Sequence, residues 1–245
     1  MISMSRTTRR SLLLVTALTL TQFVLAPPAR AVGSCYSTVD PNHAFAHQYD
    51  PSQTLYGLYG RFFTYAPYVY NISTDFTLDH LYFSKPYGNR PWAEVGWYKG
   101  QGVTNVPTPH YYWTRNDQYV GYDEHDSADY PDVASTRLYE LLYTGHDYST
   151  NKEKWSFFWR DLTSAKATTE VSGLPGGIGL AGGEVSGGDG DGTHMQAAGS
   201  SMQVQDTANV WHNWTTSVVT YQCADPGFSY HASTMYTNFA VDGTL

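Results

Sequence analysis

The sequence predicts an all-β domain, a sandwich or barrel of short strands, and three observations carry that expectation. Aromatic residues make up 16% of the 245 residues, with 21 Tyr among them, and aromatics favour pleated, half-buried surfaces. Charged residues are only 15%, too few for a coiled coil or a long helical bundle. Short alternating apolar runs recur along the chain, separated by Gly, Pro, Asn or Asp clusters, which is the pattern of sandwiches and barrels. No alternation of strands with helices is visible, so a parallel α/β sheet is excluded. The chain is too apolar to be disordered.

The N-terminus reads as a leader. Arg6, Arg9 and Arg10 form a basic start, an apolar stretch follows over 12–26, and Ala29-Arg30-Ala31 fits a small-x-small cleavage site. Residues 1–31 are therefore expected to be a secretory signal, too short in its apolar part for a comfortable membrane span. The Arg9-Arg10 pair also fits a twin-arginine signal. Removing this segment, with its four Arg and no acid, changes the formal charge from −8 to −12. Such an acidic chain is unsuited to a nucleic-acid partner and suited to acidic surroundings, where carboxylate protonation lowers self-repulsion.

Two Cys exclude a disulfide-dense scaffold and a cysteine-rich zinc module. In an exported chain, Cys35 and Cys223 are expected to pair, pinning the N-terminal part to a late strand. The rival reading makes Cys35 a lipoprotein-type acylation site. No membrane anchor is expected.

Residues 32–54 are polar and carry His43 and His47; they read as an arm or outer loop. The domain proper runs over 55–245. Strands are expected at 55–70, 77–83, 93–98, 110–114, 137–143, 155–160, 168–171, 202–204, 211–221 and 235–241. The run 137–143 also allows a short helix by apolar spacing, but it is brief and ends at Gly145-His146-Asp147, so strand is preferred. The stretch 173–192 holds ten Gly; such backbone either forms a flexible loop or lets another chain approach closely.

Most candidate motifs are negative. There is no Gly-x-Ser-x-Gly elbow, no phosphate loop, no dinucleotide fingerprint and no His-Glu-x-x-His. Asp189-Gly190-Asp191-Gly192 is half a calcium loop and reads better as a solvated turn. Asp123-Glu124-His125-Asp126 with Asp129 and Asp132 reads as an exposed acidic loop. No metal and no cofactor are expected.

Two glutamates differ from the rest. On a strand, Ala93, Val95 and Trp97 share one face while Glu94, Gly96 and Tyr98 share the other. Gly96 leaves space beside the Glu94 carboxylate, and Gly182 does the same for Glu184 if that segment is extended.

The motifs Glu94-Val95-Gly96-Trp97, Tyr111-Tyr112-Trp113-Thr114 and Gly182-Gly183-Glu184-Val185, followed by His194-Met195 and Gly199-Ser200, resemble in that order the signatures of the neprosin family of glutamic peptidases. The plant members' Cys-containing insertion and long pro-domain are not seen, and the turn after His194 is a loose version, so the chain resembles a small bacterial-type relative. The resemblance implies an antiparallel β-sandwich, jelly-roll or concanavalin-like, with a concave groove. It implies catalytic Glu94 and Glu184, and a peptide or protein substrate, with a taste for proline. Tyr98, Tyr112 and Trp113 are expected to line the groove, since aromatic faces suit a proline ring. Two other functions stay open on the residues alone. Paired Glu with an aromatic groove also serves secreted glycoside hydrolases, and a sandwich of this kind can bind carbohydrate or protein without catalysis.

Overall fold

The computed structural model describes residues 35, 43–49, 54–85, 91–188, 190, 192–214, 221–233 and 237–245. The expected leader at 1–31 and the half calcium loop's Asp189 and Asp191 lie outside the described residues. Among the described residues there are fifteen strands and no helix. In chain order they begin with β1 (His43–Tyr49), β2 (Gly57–Phe63), β3 (Phe76–Ser84), β4 (Trp92–Gly100), β5 (Val106–Asp117), β6 (Gly121–Asp126), β7 (Thr136–Asp147) and β8 (Lys152–Trp159). They continue with β9 (Ala167–Val171), β10 (Ile178–Ser186), β11 (His194–Gln205), β12 (Trp211–Asn213), β13 (Tyr221–Ala224), β14 (Phe228–Ala232) and β15 (Phe239–Thr244).

The strands form two antiparallel sheets packed as a sandwich. One has the order β13-β1-β10-β3-β4-β5-β6. The other runs β14-β15-β11-β2-β7-β8-β9, with β12 paired to β11. Alternation decides what lies between them. Leu81 and Phe83 of β3, Ala93, Val95 and Trp97 of β4, and Ala181 and Val185 of β10 point inward. They meet Leu58 and Phe62 of β2, Tyr139 and Leu141 of β7, and Trp155 and Phe157 of β8. Each large apolar side chain buried in this way contributes about 1.5–3 kcal/mol.

Three local expectations are corrected and one open alternative is decided. Residues 43–49 are not an arm: His43–Tyr49 is an interior strand, paired on both sides with β10 and β13. Its inward positions are small, Ala44 and Ala46, so it lacks the aliphatic signature of a buried strand. Of the two alternatives for the Gly-rich stretch, close approach holds over 178–186, where β10 sits between β1 and β3. A Cβ on Gly183 would come within 2.7 Å of the Met195 sulfur, so absence of side chains there serves close packing. Asp123–Asp126 of the acidic cluster lie on a strand, β6, at the edge of its sheet, where charge protects against strand addition, while Asp129 and Asp132 lie in the turn region after it. The first expected strand stops at Phe63, four residues short of Pro67. Of the expected run 211–221, Trp211–Asn213 is strand and 215–220 lies outside the described residues.

Asp79 of β3 is the exception in the core. It is fully buried between the sheets, accepts a hydrogen bond from the Ala198 amide at 3.2 Å, and leaves its Oδ1 without a hydrogen-bond partner. Burial pushes its carboxyl well above the usual carboxylate range, against the backbone amides of Ala198 and His80 that pull it down. Folding therefore takes up a proton here. The resulting stability is full below the unfolded pKa and is lost as pH rises through the raised native one. We expect Asp79→Asn to raise the melting temperature at pH 7 and change it little at pH 3. Thermal melts at the two pH values check this, and equal shifts at both would contradict it.

Candidate active site

The outward face of the β13-to-β6 sheet carries the candidate chemistry, and strand register explains how. One row of directly opposed residues runs His47, Gly182, His80, Gly96, Tyr112 and Asp126 across β1, β10, β3, β4, β5 and β6. Glu94 lies one row to one side, between Tyr82 and Thr114. Glu184 lies one row to the other side, between Phe45 and Leu78. The two glutamates thus approach each other diagonally across His80.

A ligand atom each of His80, Glu94 and Glu184 falls within 4.8 Å of the others. Glu94 is 5% exposed and Glu184 is half-buried. The Tyr112 hydroxyl donates to Glu94 Oε1, and His80 Nδ1 lies 2.7 Å from the same oxygen. On its far side, His80 Nε2 is 2.7 Å from His47 Nε2, with the two rings stacked 4.8 Å apart. The result is a continuous chain, His47–His80–Glu94–Tyr112, with Glu184 alongside. Burial, then the charges of Glu94 and Glu184, holds the Tyr112 phenol well above its ordinary range, so it remains a donor.

These donors are close enough to share a cation, but their pairing is that of a hydrogen-bonded network. His80 Nδ1 and Glu94 Oε1 lie 2.7 Å apart, a hydrogen-bond separation.

The glycines that leave room beside the carboxylates let the backbone of the neighbouring strands close in. Gly182 and Gly96 flank His80 in register. A Cβ on Gly182 would stand 2.1 Å from the Ala46 carbonyl oxygen and 2.7 Å from the His47 ring; one on Gly96 would stand 2.0 Å from the Asp79 carbonyl oxygen. Because backbone blocks the added atom, Gly182→Ala is expected to cost about 1–3 kcal/mol of stability, in the range of core overpacking. Chemical denaturation measures this, and an unchanged midpoint would show that β1 and β10 separate without cost.

Of the aromatics expected in the groove, Tyr112 touches Glu94 directly. Tyr98 shares that face but is buried, packed edge-on against Tyr112 at 5.6 Å, with its hydroxyl on the Thr104 carbonyl. Trp113 belongs to the other face: it packs into the intersheet core against Phe157, so it does not line the face that carries Glu94. Neighbouring strand residues point opposite ways, and Tyr112 takes the outward position.

Residues that the sequence did not single out complete the site. His80 and His47 are two. Glu124 of β6 is another; burial, and the charges of Asp126 and Glu94, raise its carboxyl. Tyr82, Trp92 and Tyr122 form an aromatic ledge leading away from His80, with successive ring separations of 5.8, 5.4 and 5.8 Å. At the opposite side, Cys35 and Cys223 form a disulfide, and Cys223 is the register partner of His47. The bonded Cys35 sulfur is not available for acylation.

No family model and no curated protein matches the sequence. Among solved structures the fold is similar to that of scytalido-glutamic peptidase with a peptide-based transition-state analogue. The TM-score is 0.48 and identity 8%, covering 85% of this chain and 100% of that one. It is similar to SCP-B, a member of the eqolisin family of peptidases, in complex with the tripeptide Ala-Ile-His, at TM-score 0.44 and 9% identity over 85% of this chain and 100% of the other. It is also similar to the native heptameric SAP-like pentraxin from Limulus polyphemus, at TM-score 0.37 and 12% identity over 84% and 97%. Likenesses this distant, to two peptidases and a pentraxin alike, do not discriminate between functions.

Proposed function

We propose that the chain is an exported acid endopeptidase of glutamic type, in which Glu94 and Glu184 activate one water between them. The observation that carries this is the approach of their carboxyl oxygens to within 4.8 Å on an outward sheet face. Amide hydrolysis without metal or side-chain nucleophile needs a base for water and a proton donor for the leaving amine. Two carboxyl groups supply both once they share a proton. Free glutamate titrates near about 4.3, so a dyad of this kind works in acid. The ordered resemblance to the neprosin signatures supports a peptide substrate, and the Tyr82–Trp92–Tyr122 ledge offers ring faces for an apolar or proline side chain. The disulfide and the N-terminal leader pattern support export.

The same carboxyl separation favours a second reading, a retaining glycoside hydrolase, whose two carboxyl groups stand about 5–5.5 Å apart. One assay separates the two. The protein lacking residues 1–31 is incubated with a proline-rich protein, and with soluble glucans and xylan, at pH 3 and pH 7. Peptide fragments at pH 3 alone support the peptidase; reducing sugar supports the hydrolase; neither product overturns both. Peptidase activity is expected to survive exhaustive EDTA. Loss on chelation with recovery on added zinc would move the chemistry to a metal.

A further inference from the structure

We infer that His80, Glu94 and Glu184 form a binding site for a divalent transition ion such as zinc, and that an ion held there shuts off the two-carboxyl chemistry. The site stands on its own geometry; its blocking effect rests on the peptidase proposed above.

The donors come from three neighbouring strands inside one sheet. His80 is on β3, between Glu94 on β4 and Glu184 on β10, and strand register fixes where each side chain starts. They are not the exposed acids of a solvated surface: His80 and Glu94 are buried and Glu184 is half-buried. One ligand atom of each lies within 4.8 Å of the other two. Two ligands of one zinc stand about 2.0–2.2 Å from it, hence no more than about 4.4 Å from each other. A small rotation of Glu184, the least buried of the three, is enough to close such a difference. One imidazole with two carboxylates is a donor set for zinc and its first-row neighbours, whereas magnesium and calcium take oxygen ligands.

The surroundings are those of a held ligand set. Ligating histidines are fixed through their other ring nitrogen, and ligating carboxylates by hydrogen bonds of their own. His80 presents Nδ1 to Glu94 and has Nε2 2.7 Å from His47 Nε2. The Tyr112 hydroxyl donates to Glu94 Oε1, and the carboxylate has a second oxygen for an ion. Charge points the same way. The three register rows through the site hold Glu94, Glu184, Glu124 and Asp126, and no Lys or Arg stands in them. Within these rows the charge that answers the carboxyls is a proton, on a carboxyl or an imidazole, or an ion from solution.

The rest of the surface offers less. Among the described residues one other group gathers three such donors, Cys35, His47 and Cys223, and its two sulfurs are bonded to each other. His125 with Asp123, and His212 with Asp206, are part-exposed pairs of two donors.

The exchange balances. His80 Nδ1 and Glu94 Oε1 stand a hydrogen bond apart, with a proton between them on whichever atom it resides. The ion bonds to His80 Nδ1 and to an oxygen of each glutamate, and the displaced protons pass to solvent. No electron is transferred. A carboxylate oxygen bonded to the ion neither takes a proton from water nor carries one to a leaving amine, so ion and hydrolysis exclude each other.

The test titrates zinc chloride into the chain lacking residues 1–31 at pH 7 by calorimetry, with magnesium as the control. One saturable zinc site is expected, with no competition from magnesium. His47→Ala, which removes a supporting contact, should weaken it about 10–100-fold. His80→Leu and Glu184→Gln, which remove ligands, should weaken it further, while His125→Asn and His212→Asn should leave it unchanged. Melting curves establish folding. If His80→Leu does not fold, X-ray absorption at the zinc edge of the unmodified protein should show one imidazole with oxygen ligands. No saturable site, a site that survives Glu184→Gln, or a zinc with two imidazoles overturns the proposal. Peptide cleavage is then followed at rising zinc, with bound zinc measured by dialysis in the same buffer. Cleavage should fall in proportion to occupancy and return with EDTA. Cleavage that persists or grows in the loaded protein overturns the blocking effect. A chain that cleaves nothing fails the peptidase proposal, and the titration still decides the site.

Discussion

Glu94→Gln is expected to lower peptide turnover by about 10²–10⁴-fold, the range for loss of one general acid–base group. The fold should survive, because Gln has the shape of Glu, its amide oxygen still accepts from Tyr112, and an amide can either donate to or accept from His80. What it loses is the capacity to take up or release a proton. Glu184→Gln is expected to fall in the same range, since its amide likewise can neither take up nor release one. Because the two act as a unit, the double variant should be little worse than either single one. The loss should appear in kcat with KM nearly unchanged, as neither carboxyl is asked to bind the ground state. Single-turnover assays at pH 3, with melting curves to establish folding, decide it. Activity within a few-fold of the unmodified protein in either variant would remove that glutamate from the chemistry.

The positions of these two residues were legible in the sequence, but their setting was not. Alternation over 93–98 put Glu94 on the face opposite Val95 and Trp97, and the structure keeps that division. Motif order supplied the partner, Glu184. The same motif reading misplaced Trp113, because a motif matches letters and not parity: Tyr112 and Trp113 are adjacent and cannot both face one groove. His80 was hidden for a different reason. It lies within the expected strand 77–83, but its closeness to Glu94 follows from the register of β3 on β4, which no local pattern reveals. The glycines were read as space beside carboxylates, and the space is real, yet what fills it comes from β1 and β3. β1 itself was missed because small inward residues and two His resemble a polar arm. β6 was missed because an edge strand carries the same kinds of charge as a solvated loop.

The largest stability change is expected on removing the disulfide, and β1 is the reason it should also reach the site. Cys35 and Cys223 are 188 positions apart, so their bond closes most of the described chain into one loop. Constraining so long a loop in the unfolded state is worth about 2–5 kcal/mol. For a chain of this size each kcal/mol shifts melting by roughly 2–4 °C, so Cys35→Ser with Cys223→Ser should melt about 4–20 °C lower. The structural consequence is local. β13 has four residues and β1 as its sheet neighbour, and Asp225 just beyond it accepts from the backbone amides of Cys35 and Phe45 at 3.1 and 3.0 Å. The disulfide therefore holds the strand against which His47 is registered, two links from Glu94. Hydrogen exchange in the double variant should accelerate first in β1 and β13, with the β4–β5 pair protected longer. If β1 helps to hold Glu94 in place through His47 and His80, peptide turnover should fall in the double Ser variant, although no carboxyl has been touched. A lower melting point with uniform exchange and unchanged turnover of the folded variant would confine the disulfide to a global entropic role and cut its link to the carboxyl pair.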